Sequence, residues 1–406
     1  MKNFLKNLGP GILVSAAFIG PGTVTVCSIA GVAFGYSLLW ALLISIFACI
    51  VLQEMSARLG LVSGKGLSDC IRDEMKNPIV RLLTLILIFS AIVIGNAAYE
   101  AGNITGAVMG MEAILTPLNF SVGAFELNLW SLAIGGTAFM LLLLGSYKKL
   151  EKVFIVLVGL MSIAFILTAM LTAPDIFEIL SGFVPGSFDA GLLTIIALVG
   201  TTVVPYNLFL HASLVSEKWN SAKYLGTVRK ELVFSLLLGG LVSMAIVVCA
   251  AASNIETIED VGDLAVGLEP LFGSSASIFL AIGLLAAGIT SSITAPLAAA
   301  YVVKGCLGWK GGMQSGKFKM VWMSIIILGI LFSSLGIKPV EIIQFAQIAN
   351  GLVLPIIAIF LFWIVNQESV LGDHKNNLFQ NIIGFTVIAL AVFLGAKSIF
   401  NVIQNL

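Results

Sequence analysis

The sequence predicts an all-α membrane protein with eleven transmembrane helices, ten of which form two inverted five-helix repeats. Composition is the first observation: 59% of the 406 residues are hydrophobic and 10% are charged, and the mean hydropathy is +1.08. Soluble domains carry about a quarter charged residues, so this composition excludes an ordinary soluble protein. The other two observations are the number of apolar stretches and the position of two proline-containing breaks within them.

Eleven apolar stretches, bounded by polar clusters, are long enough to cross a bilayer core of roughly 30 Å. We treat residues 1–406 as one domain, with a first repeat at about 10–174, a second at about 191–366 and an extra helix at about 378–402. The eleven stretches fall at 10–34, 36–58, 79–112, 129–146, 152–174, 191–215, 230–254, 273–304, 319–337, 342–366 and 378–402.

The basic residues predict the orientation of these helices. Of 21 Lys and Arg residues, all but Lys338 and Lys397 fall in loops on one side of the membrane. Because cytoplasmic loops are enriched in Lys and Arg, we expect a cell-membrane protein with a cytoplasmic amino terminus and an external carboxyl terminus.

Several functional classes have no support in the residues. Twenty-one acidic residues balance the 21 basic ones, so a basic surface for nucleic acid is not expected. Two histidines and five scattered cysteines predict neither a metal site nor a disulfide framework. The chain also lacks a P-loop motif and an intramembrane cluster of catalytic residues. We therefore expect a carrier without a cofactor, driven by an ion gradient, and not an enzyme.

Two apolar stretches contain a helix-breaking segment, Gly20-Pro21-Gly22 in the first and Val203 to Tyr206, around Pro205, in the sixth. Proline removes a backbone donor and clashes with the preceding turn. Irregular backbone at membrane depth is tolerated only where it lines a cavity in the protein. Because each break lies in the first helix of a five-helix half, the pattern is typical of an inverted-repeat transporter with a midplane ligand site. We expect both segments to be unwound.

Six segments carry a family resemblance: Gly9-Pro10-Gly11, Ala33 to Trp40, Ser56 to Gly60, Tyr147 to Lys152, Pro205 to His211, and Gln347 to Pro355. With these segments the chain resembles the Nramp (natural resistance-associated macrophage protein) family of metal-ion transporters over essentially its whole length. This resemblance implies a LeuT-like fold with helices 1 and 6 broken, alternating access and, in most members, proton coupling.

The two breaks depart from the family pattern. The resemblance implies Asp-Pro-Gly-Asn in the first helix and Met-Pro-His in the sixth for members that carry manganese or iron. This chain has Gly20-Pro21-Gly22-Thr23 and Val204-Pro205-Tyr206 instead. It therefore lacks the carboxylate, the thioether and the imidazole, and desolvation of a dication would be opposed by neutral dipoles alone. We expect an atypical member without the usual metal ligands.

The altered residues favour a small anion such as bicarbonate as substrate, because the helix that follows the first break offers backbone amides and hydroxyls at its positive end. A divalent cation of the Mg²⁺ or Mn²⁺ type, proton-coupled as in the wider family, is the alternative. An amino-acid or carboxylate carrier is a second alternative. The residues that we expect to bind the substrate are Gly20, Gly22, Thr23, Val24, Val203, Val204, Tyr206 and Asn207.

Three further residues are candidates for coupling to a proton or sodium ion. Glu100 in the third stretch is ionisable within the membrane, where such residues usually face a cavity or a partner. Tyr99 precedes it, and His211 lies one helical turn beyond Asn207. A hydrogen-bonded structural carboxyl and a neutral structural histidine are the alternatives. We expect the protein to function as a monomer in the lipid bilayer.

Overall fold

The computed structural model describes residues 19–122, 125–145, 148–186, 191–219, 221–253 and 255–404. Residues 10–18, the first part of the predicted first span, lie outside this range. The membrane-spanning helices are α1 (Pro21–Phe34), α2 (Leu39–Ser63), α3 (Pro78–Glu112), α4 (Leu129–Leu144), α5 (Lys148–Leu171), α6a (Leu192–Thr202), α6b (Pro205–Lys218), α7 (Leu225–Ala251), α8 (Ala276–Leu307), α9 (Gly316–Ser333), α10 (Pro339–Val365) and α11 (Leu378–Gln404).

These helices correspond one to one with the predicted stretches. Within the described residues, nine spans are long and apolar enough to cross a membrane when α6a and α6b are counted together, and α1 and α4 are shorter apolar helices. Connections between them contain five short helices: Leu67–Glu74, Ile176–Ser181, Val261–Val266, Glu269–Phe272 and Glu368–Leu371. The prediction of eleven membrane helices is confirmed.

A small β-hairpin departs from the all-helical prediction. Strands β1 (Asn119–Val122) and β2 (Phe125–Asn128) pair antiparallel in the connection between α3 and α4, with Asn119 opposite Asn128. The side chain of Asn128 then caps α4 by accepting hydrogen bonds from the backbone N–H groups of Trp130 and Ser131. The hairpin therefore leads the chain directly into the next membrane helix.

Helix α2 is longer than the apolar stretch that predicted it, because a charged residue lies inside the protein. Arg58, where the predicted span ends, is 1% exposed. Its guanidinium group pairs with Glu54 at 3.1 Å and donates a 2.6 Å hydrogen bond to Asn376. Since these partners satisfy the charge, the helix continues to Ser63 and ends at Gly64, which has a φ of 65°.

The helices pack as two groups, with α1, α2, α6 and α7 in one and α3, α4, α8 and α9 in the other. Helix α10 lies along both α3 and α6a, and α5 contacts α7 and α8. Glycines allow close approach between the groups: a Cβ atom at Gly106 of α3 would overlap Pro21 at the start of α1. The start of α1 and the end of α6a therefore lie against α3 and α10.

Candidate functional site

The break in the sixth span is present, and it is shorter than the sequence suggested. Val203 and Val204 are non-helical, with ψ angles of 73° and 118°. Helix α6b begins at Pro205, which fits the first position of a helix because the missing N–H would have no partner there. Tyr206, which we expected to be unwound, is consequently helical.

The described part of the first span shows the same arrangement. Gly20 is extended, with φ −114° and ψ −177°, and α1 begins at Pro21. Gly22 lies within the first turn of α1, so the expectation that it would be unwound is wrong for the same reason as at Tyr206.

A hydrogen bond between two threonines joins the broken helices. The Thr23 and Thr201 hydroxyl oxygens are 2.9 Å apart, and both side chains are buried. Thr23 belongs to the first turn of α1, and Thr201 to the last turn of α6a. The two breaks therefore lie next to each other, as the repeat argument predicted.

Gln347 on α10 contacts both broken helices. A Cβ atom at Gly22 would overlap the amide end of the Gln347 side chain, and one at Gly200 would overlap the Gln347 backbone carbonyl. Asn350 follows one helical turn later, and both side chains are buried. We missed both residues as site candidates. Two amide side chains three residues apart within an apolar helix were the available signal.

Two of the expected backbone donors are already used. The Val24 N–H donates to the Gly20 carbonyl at 3.2 Å, and the Asn207 N–H donates to the Val204 carbonyl at 3.1 Å. These are ordinary first-turn helix bonds. The Val24 amide, which we expected to hold an anion, is therefore occupied, and the candidate anion site is poorer in donors than predicted.

Five side-chain polar atoms around the breaks, four of them oxygens, are buried without a hydrogen-bond partner in the described part of the chain. They are Thr25 Oγ1 on α1, Tyr206 Oη and Asn207 Oδ1 on α6b, and Gln347 Oε1 and Asn350 Nδ2 on α10. An unsatisfied buried polar group costs about 1–3 kcal/mol. Oxygen acceptors lacking a donor suit a cation or a ligand that carries N–H or O–H groups.

The side-chain oxygens around the breaks belong to uncharged groups. Across the residues that the structure describes, no group of three or more His, Cys, Asp or Glu side chains could hold a metal ion together. Any cation at the breaks would be bound by amide, hydroxyl and backbone carbonyl oxygens. Such ligands match hard cations better than soft transition metals.

Glu100 is fully buried on α3, facing α8 and α9. Its Oε2 atom accepts a long hydrogen bond of 3.4 Å from Asn103, and Oε1 has no partner within the described ranges. Ser292 of α8 lies beside the carboxyl group, and a Cβ at Gly329 of α9 would lie 2.5 Å from Glu100 Cγ. The carboxyl group is tightly enclosed and has no neighbouring cationic side chain in these contacts.

Tyr99 connects the Glu100 region to the sixth-helix break. Its ring meets the Tyr206 ring edge to face, with centroids 5.3 Å apart and an interplanar angle of 67°. Thr294 of α8 lies near the Tyr206 hydroxyl. Tyr206 follows Pro205 directly, so this ring contact joins the break to the residue next to Glu100.

His211 contacts α2 and not the residues around Glu100. Its Nδ1 atom is 2.8 Å from Oε1 of Gln53 on α2. Because that oxygen only accepts, Nδ1 carries the hydrogen, and Nε2 is left as an acceptor without a partner among the described residues. The structure thus brings Tyr99 and Glu100 together with Tyr206, and it places His211 against α2.

The side chains around the two breaks are buried. Thr23, Tyr206, Asn207 and Gln347 are each 2% exposed or less.

Comparisons with known proteins agree with this architecture. The profile of the family described as "Natural resistance-associated macrophage protein-like" (Nramp) matches residues 11–401. The divalent metal cation transporter MntH of Staphylococcus saprophyticus is 28% identical, over 98% of this chain and 92% of its own length. MntH of Staphylococcus aureus is 27% identical, over 100% of this chain and 93% of its own length.

Solved structures show the same fold. A manganese transporter of Eremococcus coleocola, in complex with an aromatic bis-isothiourea compound, superposes with a TM-score of 0.79 at 19% identity, covering 98% of this chain and 87% of that one. MhsT in complex with L-phenylalanine superposes with a TM-score of 0.59 at 14% identity, covering 95% and 98%. The fold is therefore LeuT-like, and this chain belongs to the Nramp family of multi-pass membrane transporters.

Proposed function

We propose that this protein is a secondary transporter of a hard divalent cation, Mg²⁺ or Mn²⁺, which it binds through neutral oxygen ligands at the two helix breaks. The unpartnered acceptors Asn207 Oδ1 and Gln347 Oε1 carry this proposal. The similar MntH proteins are divalent metal cation transporters. The bicarbonate expectation becomes the second candidate.

The chemistry of the ligands narrows the range of cations that the proposed site could bind. Val204 and Tyr206 supply neither the thioether nor the imidazole that favours softer metals. Mg²⁺ dehydrates reluctantly and usually keeps several water molecules when bound. A site without a carboxylate therefore suits a partly hydrated cation bound weakly, and we expect affinities in the millimolar range or weaker.

We further propose that Glu100 couples transport to a proton gradient. An unpaired carboxylate in the interior costs several kcal/mol, so a proton or a bound cation has to neutralise it in the closed state. The close packing of Gly329 against its side chain favours a proton, which needs no space. His211 Nε2, an acceptor without a described partner, is a second candidate proton carrier.

A small anion remains a candidate because of one observation at the first break. Helix α1 starts at Pro21 with no acidic residue in its first turn. The positive end of the helix and the Gly22 amide would attract an anion. Occupied amides at Val24 and Asn207 weigh against it.

The orientation and assembly follow from the sequence argument. We propose that the basic loops are cytoplasmic, that the carboxyl terminus lies outside, and that one chain is sufficient for transport. The residues of the proposed site lie on α1, α6 and α10 of a single chain, which supports this proposal.

Uptake into proteoliposomes tests the substrate. Mg²⁺, Mn²⁺, bicarbonate and amino acids are each supplied with and without a proton or sodium gradient. We expect Mg²⁺ or Mn²⁺ uptake that a proton gradient stimulates and that Gln347→Ala reduces at least about tenfold. The control is Gln314→Ala, the same change in an exposed loop. Uptake of bicarbonate or an amino acid, with no divalent cation uptake, would refute the proposal.

A further inference from the structure

The short helix Leu67–Glu74, which connects α2 and α3, lies between the two groups of membrane helices on the side of the basic loops. It packs against α8, α6b and α10. Leu67, Cys70 and Ile71 form its buried face, and Arg72 and Asp73 lie on its outer face. The helix therefore fills the space at this end of the molecule between α6b and α8.

Arg72 fastens this helix to the end of α8. One guanidinium nitrogen donates to the Gly305 backbone carbonyl. Ion pairs of 3.2 Å with Asp69 and 2.8 Å with Asp73 hold the guanidinium group in place. A Cβ atom at Gly305 would overlap the Ser68 side chain, so the short helix and α8 are in direct contact.

A second link joins α6b to α8 at the same end. The Tyr301 hydroxyl on α8 donates a 3.0 Å hydrogen bond to Glu217 Oε1, in the last turn of α6b. A Cβ at Gly66 would lie 2.8 Å from the Ser213 hydroxyl oxygen, so the short helix also touches α6b. Three elements from both helix groups thus meet here.

We propose that these contacts form the gate on the basic side of the membrane, and that it opens when the helix Leu67–Glu74 and the end of α6b separate from α8. A carrier has to expose its buried site to each side in turn, which requires the two helix groups to move relative to each other. Tyr301 bonds across the boundary between the groups, and Arg72 joins the short helix that lies between them to α8. The inference does not depend on which ion is carried.

The solvent accessibility of two native cysteine thiols should differ between the closed and the open state of this gate. Cys70 lies on the buried face of the short helix, and Cys306 on α8 lies beside Asp69 and Arg72. Both are buried in the closed state, as are Cys27, Cys49 and Cys249. Opening at this end would expose the first two thiols and leave the other three covered.

The rate of maleimide labelling of the full chain in detergent, resolved by peptide mass spectrometry, tests the gate. Tyr301→Phe removes one hydrogen bond and keeps the ring contact with Phe318. We expect Cys70 and Cys306 to label about three- to tenfold faster, which is the effect of one partly exposed hydrogen bond on an opening equilibrium. Arg72→Gln should act in the same direction. Tyr224→Phe, on the same side of the protein, is the matched control.

Unchanged labelling of Cys70 and Cys306 in both variants would overturn the gate. An equal increase at Cys27, Cys49 and Cys249 would overturn it as well, because it would show general loosening. Labelling requires no substrate, so a failure of cation uptake leaves this result intact, and the two proposals can fail separately.

Discussion

Thr23 and Thr201 share a 2.9 Å hydrogen bond that joins the start of α1 to the end of α6a. Both side chains are buried, so neither hydroxyl can exchange its partner for water. The effects of substitutions at the two threonines on stability should consequently be coupled.

We predict that Thr23→Val and Thr201→Val each lower the free energy of unfolding by about 1–3 kcal/mol, because each leaves a buried hydroxyl without this partner. The double variant should lose less than the sum of the single changes, by about 1 kcal/mol. Thermal unfolding in detergent measures both quantities. Strictly additive losses would show that the two hydroxyl groups do not interact.

Two glycines at the breaks should respond differently to alanine. At Gly200 the new Cβ meets the Gln347 backbone carbonyl, which cannot move alone, so we expect Gly200→Ala to destabilise the protein by roughly 1–3 kcal/mol and to abolish uptake. At Gly22 it meets the end of the flexible Gln347 side chain, so Gly22→Ala should fold normally and lose uptake. Thermal unfolding and proteoliposome uptake distinguish the two. Equal destabilisation by both changes would contradict the proposed position of Gln347.

The sequence predicted the spans and the sixth-helix break because these depend on local chemistry. Apolar length defines a membrane helix, and Pro205 has to interrupt one. It did not predict the extent of the break, because proline at a first helical position starts a helix as readily as it ends one. Tyr206 and Gly22 are therefore helical, contrary to our expectation.

Contacts between helices that are distant in the sequence could not be predicted from the sequence. Nothing local to Gln347 indicates that it lies against Gly22, since the two are joined only when α10 packs on α1. The buried position of Arg58 likewise depends on Asn376, more than 300 residues away. The positions of the breaks were predictable, whereas the contact of Gln347 with both broken helices required the fold.

Glu100→Gln tests proton coupling. Glutamine keeps the size and neutral charge of the protonated carboxyl group, so the fold should be retained. We expect a proton gradient to stop stimulating uptake in this variant, and exchange of substrate down its own gradient to continue. Glu112→Gln, the same change at the carboxyl-terminal end of α3, is the control. Uptake in Glu100→Gln that still responds to the proton gradient would exclude Glu100 as the coupling group.

Substitutions at Gly20 can determine whether the substrate is a cation or an anion. This residue is the N-cap of α1 and has extended backbone angles that any residue adopts, so a side chain introduces no backbone strain. Asp and Asn are both good N-cap residues and would use the first free amides of α1 similarly. Gly20→Asp and Gly20→Asn thus differ mainly in charge.

If the substrate is a divalent cation, Gly20→Asp restores a charged oxygen ligand, and we expect its affinity for Mg²⁺ or Mn²⁺ to rise at least about tenfold above that of Gly20→Asn. If the substrate is an anion, the carboxylate repels it, and Gly20→Asp should abolish bicarbonate uptake that Gly20→Asn retains in part. The cation and the anion proposals therefore predict opposite rankings of the Gly20→Asp and Gly20→Asn variants in uptake and binding. An Asp variant that is no better than the Asn variant for either cation, and that has lost bicarbonate uptake, would replace the cation proposal with the anion one.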